Sequence, residues 1–575
     1  MFGPACFLKM KVANFLNCIF TLITSNAYSQ QPISPLSPLT IPLIQKGNYG
    51  EVRSNHFHSG LDFSTQSKIG FPVIASFDGY VSRIKTSENG YGKAVYIDHP
   101  NGLTTVYAHL HRYGKTIESF VFAEQEKQKI YSVELFPERN KIMVRQGDTI
   151  GWSGNSGGSS GPHLHYEIRN TKSEKPLNPI SYFPQIKDTI PPLIKSITIY
   201  SIKEDFLSIF PWHEITPVET SAGNYRYTDL INASGEIGIG FSGYDQANND
   251  NAILGIDEVE LYANEKLVFA RKMSNFSFDE TRNANGLIDY SKGQRTGNIT
   301  ERCYKLPGVK FSQYVFIKNS GVVVLKNDSS VNFRLMLRDG AGNISRCVFT
   351  IVNNNGTKPK NTVVKKGELL EYNKANKIQS DRYRLSITDG ALFRDYYCDV
   401  IIRKGNKSFI APQITIGSTS EGLKKNAMLK IKSDVEGDSL NSKTIMVKIA
   451  SNGTTSPVSG IFKDGMYSAS ISDFGSYSLM VDSIAPVVEN ISTSFDSVFN
   501  CTVLEVKVAD NFSGIKKYSC TINNNWYLSE YDRKYNTIYI LLNRFTERKF
   551  NLKVNLTDAC GNTTIFSKEI ILPQK

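Results

Sequence analysis

Three His-x-His pairs place the strongest constraint on how this 575-residue chain can fold. The pairs are His56-Phe57-His58, His109-Leu110-His111 and His163-Leu164-His165. Each lies among short runs of β-branched and aromatic residues separated by Gly-rich turns, a composition that predicts antiparallel strands. Residues i and i+2 of a strand project to the same face, so each pair can direct two imidazoles toward one point.

Histidine is otherwise scarce in the chain. Seven of the eight histidines lie between residues 56 and 165, and only His213 lies elsewhere. Asp62 follows His58 by four residues, and Gly60 between them permits a bend that lets both side chains converge. Two imidazoles and one carboxylate leave a fourth tetrahedral position open to water, as in a catalytic zinc site. This clustering disfavours the alternative that the histidines serve only packing or the surface.

The residues alone do not determine which histidines bind the metal. Two must be ligands, and one or two more are needed to move protons and to stabilise an oxyanion. Glu167 lies on the strand face of His165, where it could orient a ligand imidazole; a solvated edge position is an equal alternative. The Gly-rich segment 151–161 lacks the ending of a phosphate-binding loop, so we interpret it as a tight loop bordering the site.

The motifs follow one another in the order of a known family. His58-x-x-x-Asp62 precedes Tyr107-Ala108-His109-Leu110, which precedes Gly161-Pro162-His163-Leu164-His165-Tyr166-Glu167. Together they resemble the lysostaphin/LytM-type zinc metallopeptidase family. The resemblance covers roughly residues 47–175. It implies a small antiparallel sheet whose groove holds an extended peptide, and cleavage of peptide bonds in bacterial peptidoglycan.

The resemblance also implies a role for each site residue. Carried over position by position, it makes His58, Asp62 and His165 the ligands of Zn2+. It makes His109 and His163 the catalytic histidines beside the zinc-bound water and the developing oxyanion. All five positions are filled, unlike in the degenerate members that only activate other hydrolases.

Two features depart from the family pattern. His111 stands where a small polar residue is usual, so we expect a groove-wall or surface position. The chain after it is longer than usual, and the charged residues 118–141 are partly helical in character. This insertion could border the groove, select substrates or occlude the site.

The amino terminus predicts export. Lys9 and Lys11 precede the apolar stretch 12–24, and Ala27-Tyr28-Ser29 provides small residues suited to cleavage. We therefore expect a signal peptide over residues 1–29 and a Pro/Ser-rich linker over residues 30–46. No other run approaches 18 apolar residues, so we expect no transmembrane span in the mature chain. The expected location is secreted or periplasmic, at the cell envelope.

The charge balance favours an anionic partner. Lys and Arg number 66 against 54 Asp and Glu, a formal charge of +12. The basic residues are dispersed, with no run of five, which disfavours nucleic acid and suits an acidic cell-wall polymer.

The rest of the chain contains a repeat. Asp188-Thr-Ile-Pro-Pro recurs as Asp482-Ser-Ile-Ala-Pro, and Asp339-Gly-Ala-Gly-Asn recurs as Asp558-Ala-Cys-Gly-Asn. Asp-x-x-Gly-Asn between extended runs is typical of a hairpin turn, so we predict two related β-sandwich modules resembling immunoglobulin-like domains. The predicted order is a metallopeptidase domain at 47–186, a sandwich with an insertion at 187–352, a linker at 353–365, a β-rich module at 366–481 and a sandwich at 482–575. The fold class is all-β.

Two further patterns are ambiguous. Six cysteines outside the leader permit disulfides in an exported chain, but their spacing gives no connectivity. Residues 245–251 are rich in Asp and Asn, which could make a calcium loop, although a polar turn is favoured.

The leading hypothesis is an exported zinc-dependent endopeptidase that hydrolyses peptidoglycan stem peptides or crosslinks. We expect the tail modules to bind, space or orient the catalytic domain, and to offer a surface for a protein partner. One alternative is a catalytically silent or occluded cell-wall-binding scaffold or activator of other wall hydrolases. Another keeps the enzyme class with protein or short-peptide substrates.

Overall fold

A computed structural model describes residues 34–248, 251–296, 299–354, 365–435 and 442–572. The predicted signal peptide, the first residues of the linker after it and most of the linker at 353–365 lie outside the described residues. Strands dominate and pair almost entirely antiparallel, which confirms the all-β class. Among the described residues, no helix is long and apolar enough to cross a membrane.

The amino-terminal domain is built on one 11-stranded sheet. Its strands and the adjoining hairpin β2–β3 are β1 (Gln45–Gly47), β2 (Val52–Arg53), β3 (His56–Phe57), β4 (Leu61–Ser64), β5 (Pro72–Ile74), β6 (Gly79–Thr86), β7 (Lys93–Asp98), β8 (Leu103–Tyr113), β9 (Val133–Leu135), β10 (Met143–Val144), β11 (Thr149–Ser153), β12 (His163–Asn170) and β13 (Pro176–Leu177). The main order is β1-β4-β12-β8-β7-β6-β10, and β11 joins β8 to β5. Helix α1 (Lys115–Gln128) follows β8, and a 3-10 turn (Pro179–Tyr182) ends the domain.

The central strand β12 separates the core from the polar face of this sheet. Leu164, Tyr166 and Ile168 are fully buried in the core, and the alternate residues His165 and Glu167 lie on the opposite face. That second face is also buried, so nearly every residue of β12 is buried.

The register of β12 brings the site residues together. His165 lies opposite Asp62 on β4 and opposite Ala108 on β8, the residue before His109. Strand pairing therefore places residues 62, 109 and 165 side by side, although they are far apart in sequence.

The predicted insertion overlaps α1, which begins three residues before it. Ile117 and Val121 pack into the core, and the helix ends at Lys129, which adopts φ +55°. The helix is thus part of the domain core rather than a loop over the site.

The segment predicted as a linker is packed in its described part, which corrects that expectation. Leu39 is 2% exposed and bridges Val73, and β1 pairs with β4. The physical reason is its spaced apolar residues, since Ile41 and Leu43 also contact the core. Prolines do not prevent an edge segment from burying such side chains.

The first tail module has two sheets around a shared core. One contains Ser208–Ile215, Leu193–Lys203, Gly235–Gln246, Ile253–Leu254, Glu301–Arg302 and Val323–Leu325. The other contains Val218–Ser221, Asn224–Arg226, Ile231–Asn232, Ile344–Asn353, Ser329–Arg338, Glu258–Ala263, Lys266–Lys272 and Tyr314–Ile317. Short helical pieces are Phe278–Asn283, Ala284–Leu287, Tyr290–Thr296 and Asn319–Gly321.

The next two modules are also paired sheets. The middle module contains Asn376–Gln379, Tyr383–Ile387, Gly422–Lys432, Met466–Asp473 and Gly460–Lys463 in one sheet, Val400–Arg403, Gln413–Ile416, Gly475–Val481, Thr444–Ile449 and Thr455–Val458 in another, and the pair Glu368–Leu370 with Tyr396–Cys398. The terminal module contains Val487–Asp496, Cys501–Ala509, Thr537–Leu541 and Glu530–Asp532 opposite Asn525–Tyr527, Ile515–Ile522, Lys549–Asp558 and Thr563–Ile571. The six cysteines of the described residues are buried free thiols.

The amino-terminal domain and the first tail module share packing around residues 48–58. Phe57 stacks on Phe311 at 4.8 Å between ring centroids, and its amide donates to Thr281 Oγ1 at 2.9 Å. The Asn48 side chain exchanges two hydrogen bonds of 2.7 Å with the Gly255 backbone. The segment that carries His58 is therefore held by both modules.

Candidate active site

Three predicted ligand side chains form one compact cluster. His58 Nε2 lies 3.0 Å from Asp62 Oδ1, His165 Nδ1 lies 2.9 Å from the same oxygen, and the two nitrogens are 3.0 Å apart. All three residues are buried, with 2%, 5% and 3% exposure respectively. Ligand atoms about 2.0–2.1 Å from a tetrahedral zinc ion stand roughly 3.3 Å apart, so this donor set and spacing fit zinc.

A buried carboxylate fixes the orientation of His165. Its Nε2 lies 2.8 Å from Glu167 Oε1, which turns Nδ1 toward the cluster. Glu167 is fully buried and also accepts hydrogen bonds from Ser59 Oγ at 2.6 Å, from Arg169 Nε at 2.6 Å and from the Tyr91 hydroxyl. Of the two alternatives for Glu167, the structure shows the one that orients a site imidazole.

The other two members of the cluster have their own supports. His58 Nδ1 donates to the Asn48 carbonyl at 2.8 Å, which leaves Nε2 facing the cluster. Arg53 Nη2 donates to Asp62 Oδ2 at 2.6 Å, on the oxygen that the histidines do not contact. Gly60 allows a close approach, because a Cβ there would lie 2.2 Å from the Tyr166 carbonyl oxygen.

The electrostatics of the cluster favour a bound cation. Burial alone would raise the pKa of Asp62, but His58, His163 and His165 hold it well below its usual range. Burial, only partly offset by Asp62, lowers the pKa of His58 to about 4. Burial opposes protonation of His165, yet hydrogen bonds to Asp62 and Glu167 raise its pKa to about 9. The Asp62 carboxylate, held in its ionised form at the centre of the cluster, is the group that would attract a cation.

His109 and His163 flank the cluster with their ring centroids 4.8 Å apart. The Gly-rich loop holds both through Nδ1: His109 donates to the Ser156 carbonyl at 2.8 Å, and His163 donates to the Gly161 carbonyl at 2.8 Å. In the neutral ring this leaves Nε2 as the acceptor. His163 Nε2 lies 3.5 Å from Asp62 Oδ1. The loop therefore borders the site, as its composition predicts.

His109 is set by unusual backbone geometry. Its φ is +59°, in the left-handed region, and the register of β8 against β7 shifts at this point. Such conformations cost about 1–3 kcal/mol for a non-glycine residue and concentrate at functional sites. Burial and the neighbouring His163 and His165 imidazoles lower the pKa of His109 to about 3, so this ring is neutral at pH 7.

The sequence predicts that the two imidazoles of each His-x-His pair point to one place. This prediction holds for one pair and is wrong for the other two. His163 and His165 both face Asp62. His56 is exposed beside the Ser54 carbonyl, because the strand β3 ends at Phe57, before His58. The positive φ at residue 109 breaks the alternation that would place residue 111 beside it.

His111 instead contacts the terminal module. Its Nε2 lies 2.6 Å from Asp496 Oδ2, and the neighbouring Arg112 donates to the Val498 carbonyl at 2.9 Å. The predicted groove-wall position is thus an interface position. Of the remaining histidines, His99 is bonded to Asp78 O and Thr105 Oγ1, and His213 to Asn232 O, all at 2.8 Å.

Sequence reasoning missed the supporting residues Arg53, Asn48, Ser59, Tyr91 and Arg169. Arg169 continues the polar face of β12 two residues after Glu167, so the alternation could have found it. The others come from loops and separate strands, where no local pattern marks them.

The chain is similar to known proteins over this domain. Residues 56–126 and 136–179 match the model of peptidase family M23. The chain carries a peptidase family M23 domain. This confirms the resemblance drawn from the motifs, and the gap in the match lies within the predicted insertion.

The curated relatives each match about a fifth of this chain. The DD-carboxypeptidase/endopeptidase Mpg of Neisseria meningitidis serogroup B is 38% identical over 124 residues, 22% of this chain and 22% of the relative. The peptidoglycan DD-endopeptidase ShyC of Vibrio cholerae serotype O1 is 37% identical over 113 residues, 19% of this chain and 20% of the relative. The chain thus spans about a fifth of the length of these relatives.

Two further similarities are to a solved structure and to a family model that matches part of the tail. The catalytic domain of the antimicrobial peptidase lysostaphin from Staphylococcus simulans is 25% identical, with a TM-score of 0.18, over 24% of this chain and 91% of that chain. Residues 367–482, outside the M23 domain, match the model of a Zu5-like domain.

Proposed function

We propose that this chain is an exported zinc-dependent endopeptidase that hydrolyses peptide bonds of bacterial peptidoglycan stem peptides or crosslinks. The observation that carries the proposal is the cluster of His58, Asp62 and His165 flanked by two histidines whose Nδ1 atoms are bonded to backbone carbonyls. Three protein ligands leave the fourth tetrahedral position to water, which distinguishes a catalytic from a structural zinc site.

In this proposal the protein residues hold the metal and move protons. His58, Asp62 and His165 would hold the zinc ion, which would supply a water acidified to near-neutral pKa and a Lewis acid for the scissile carbonyl. His109 or His163, each with Nδ1–H bonded to a backbone carbonyl, would accept the proton of that water at Nε2. The protonated imidazole then stabilises the oxyanion and returns the proton to the leaving amine.

Several features support peptidoglycan as the substrate. Relatives of the M23 domain are named peptidoglycan DD-endopeptidases. A cleft of about 420 Å3 between Asn155–Ser156 of the Gly-rich loop and the terminal module offers room for part of an extended polymer beside the site. The positive charge suits an acidic wall. The leader pattern at 1–29 supports export to the envelope.

Digestion of purified peptidoglycan by the mature chain tests the proposal, with zinc measured in the same sample. We expect stem-peptide fragments and about one zinc per chain. His163→Ala should retain zinc and lower kcat by about 10²–10⁴-fold. Full activity in zinc-free protein would refute the proposal, and cleavage of a protein substrate in place of peptidoglycan would change the substrate assignment.

A second candidate is an occluded scaffold, and the terminal module supplies the observation in its favour. Lys534 Nζ donates to the backbone carbonyls of Asn155 and Gly157 in the Gly-rich loop, and Lys93 pairs with Glu530. These contacts restrain the loop that holds His109. Bound zinc without fragments in the wild type, but with fragments in a Lys534→Ala, Asp496→Ala variant, would favour this candidate.

The shared packing around Phe57 predicts that the first tail module supports zinc binding. Phe311→Ala should destabilise the protein by about 3–5 kcal/mol and weaken zinc binding, because it loosens the segment that carries His58. Phe333→Ala is a matched control, since Phe333 is also buried but stacks on Phe349 elsewhere in that module. Chemical unfolding and zinc competition measure the two effects. Equal loss of zinc affinity in both variants would contradict a specific support.

A further inference from the structure

Two clusters of three aspartates lie outside the M23 domain, one in the first tail module and one in the terminal module. The first consists of Asp188, Asp245 and Asp339; the second consists of Asp482, Asp510 and Asp558. In each cluster, one oxygen from each carboxylate lies within 4.8 Å of the other two. No side chain of the proposed hydrolytic site belongs to either cluster.

The clusters occupy equivalent places in the repeat. Asn343 Nδ2 donates to Asp339 Oδ2 at 2.7 Å and to the Asp188 carbonyl at 3.1 Å. In the terminal module, Asn562 Nδ2 donates to Asp558 Oδ2 at 2.7 Å and to the Asp482 carbonyl at 2.9 Å. In both modules, the closing turn is therefore hydrogen-bonded to the opening segment in the same way. The aspartate carboxylates lie at this contact.

The third aspartate of each cluster comes from a strand between those phrases. Asp245 is the penultimate residue of the strand Gly235–Gln246, and Asp510 directly follows the strand Cys501–Ala509. Three separate segments of each module thus converge on one point, although the phrases that repeat contain only two of the three.

An unsatisfied oxygen points to a missing ligand. Asp245 is 3% exposed, and its Oδ1 is buried without a hydrogen-bond partner. Asp510 is half-buried, and its Oδ1 is an inaccessible atom without a hydrogen-bond partner. In the part of the chain that the structure describes, no Lys or Arg forms an ion pair with any of the six aspartates. Buried carboxylates are otherwise paired, hydrogen-bonded or metal-bound.

Ionising all three carboxylates of the first cluster is unfavourable without a cation. Burial, together with the nearby Asp339 and Asp188 carboxylates, raises the pKa of Asp245 to about 8. Burial also raises the pKa of Asp339 and Asp188, with Asp188 contributing to the rise at Asp339. A divalent cation would remove this repulsion and satisfy the unpartnered oxygen.

We propose that each tail module with the repeated phrases binds one calcium ion between its three aspartates. The donor set is oxygen only and brings three negative charges, which suits a hard cation and excludes the nitrogen or sulfur preference of zinc. Calcium accepts a flexible set of six to eight oxygens, so water or backbone carbonyls complete the shell. Magnesium demands a near-ideal octahedron at shorter distances and retains more of its water.

The positions of the clusters give the cations a role at module boundaries. Asp188 lines a cavity with Asn178 and Ile180 of the M23 domain and with Gly340 of the closing turn. The Asp482 amide donates to the Lys443 carbonyl of the middle module at 2.9 Å, and Lys443 Nζ donates to the Cys560 carbonyl at 3.3 Å. Calcium would therefore tie the entry and closing segments of each module together and stiffen its junction with the preceding one.

Calorimetric titration of the zinc-loaded mature chain with CaCl2, in calcium-free buffer, tests the proposal. We expect two calcium ions per chain and, at a concentration about 100-fold above Kd, a rise in Tm of roughly 5 °C or more. Asp245→Asn and Asp510→Asn should each remove one bound ion, and the double variant should remove both. Asp381→Asn, at an 84%-exposed side chain, should change neither the number of bound calcium ions nor the calcium-induced rise in Tm.

The stability of the Asp→Asn variants in calcium-free buffer provides a second test. Replacing a carboxylate of a buried like-charged cluster by an amide relieves repulsion, so Asp245→Asn should be at least as stable as the wild type in calcium-free buffer. A simple folding defect would instead lower Tm under both conditions and would count against the assignment. The weakest extracellular calcium modules have a Kd of about 10⁻³ M. The proposal would be overturned if the chain bound no calcium even above that concentration. A calcium response that survives in the double variant, or a magnesium titration that reproduces it at equal concentration, would overturn it too.

Discussion

Replacing His58 with alanine is expected to remove zinc from the protein and to abolish peptidoglycan hydrolysis. The imidazole is one of three donors in the cluster, and its Nε2 lies 3.0 Å from both Asp62 Oδ1 and His165 Nδ1. Two remaining ligands do not hold a catalytic zinc ion at ordinary concentrations. Metal analysis after gel filtration and digestion of peptidoglycan measure the two losses.

His56→Ala is the matched control for this experiment. His56 belongs to the same His-x-His pair but is exposed and bonded only to the Ser54 carbonyl. This variant should retain its zinc and its rate. Zinc loss in both variants would show that folding of the β2–β3 hairpin, rather than ligation, determines the metal content. Retention of zinc by His58→Ala would contradict the ligand assignment.

The second large effect is expected from Glu167→Ala. Glu167 is fully buried between Arg169 and His165, and burial alone would raise its pKa. The Arg169 guanidinium and His165 instead hold the pKa of Glu167 well below its usual range. Removing the carboxylate leaves Arg169 buried without its counter-ion, which costs about 3–5 kcal/mol of unfolding free energy. Loss of the partner that orients His165 should weaken zinc binding by roughly 10–100-fold.

Denaturant unfolding and zinc competition separate the two consequences of this change. Glu138→Ala, at an exposed position in the same domain, should alter the unfolding free energy by no more than about 0.5 kcal/mol and leave zinc affinity unchanged. An unfolding free energy for Glu167→Ala equal to that of the control would mean that the buried network contributes little. Unchanged zinc affinity would mean that strand pairing alone orients His165.

The tail modules contribute more to the catalytic domain than attachment. The first module holds the segment of His58 through Phe311 and through the Gly255 backbone, and the terminal module contacts β8 through Asp496. Helix α1, which overlaps the predicted insertion, lies between the domain core and the terminal module, where Phe122 meets Arg544. The insertion thus provides an interface rather than a lid.

The sequence alone predicted the all-β class, and its motifs carried the family resemblance from which the five site residues are assigned. Local properties account for the grouping of these residues: alternation along β12 directs His163 and His165 to one face, and motif spacing brings Asp62 close to His58. The repeated phrases at Asp188 and Asp482 were equally visible, because hairpin turns have short-range signatures.

Only the tertiary structure decided the surroundings of those residues. It paired His111 with Asp496, 385 residues away, and bonded Arg53 to Asp62. It also joined Asp245 to Asp188 and Asp339. The physical reason is that strand alternation and turn chemistry act over a few residues, whereas these contacts depend on which strands pair and which sheets pack. A single positive φ at His109 was enough to send His111 to a different partner.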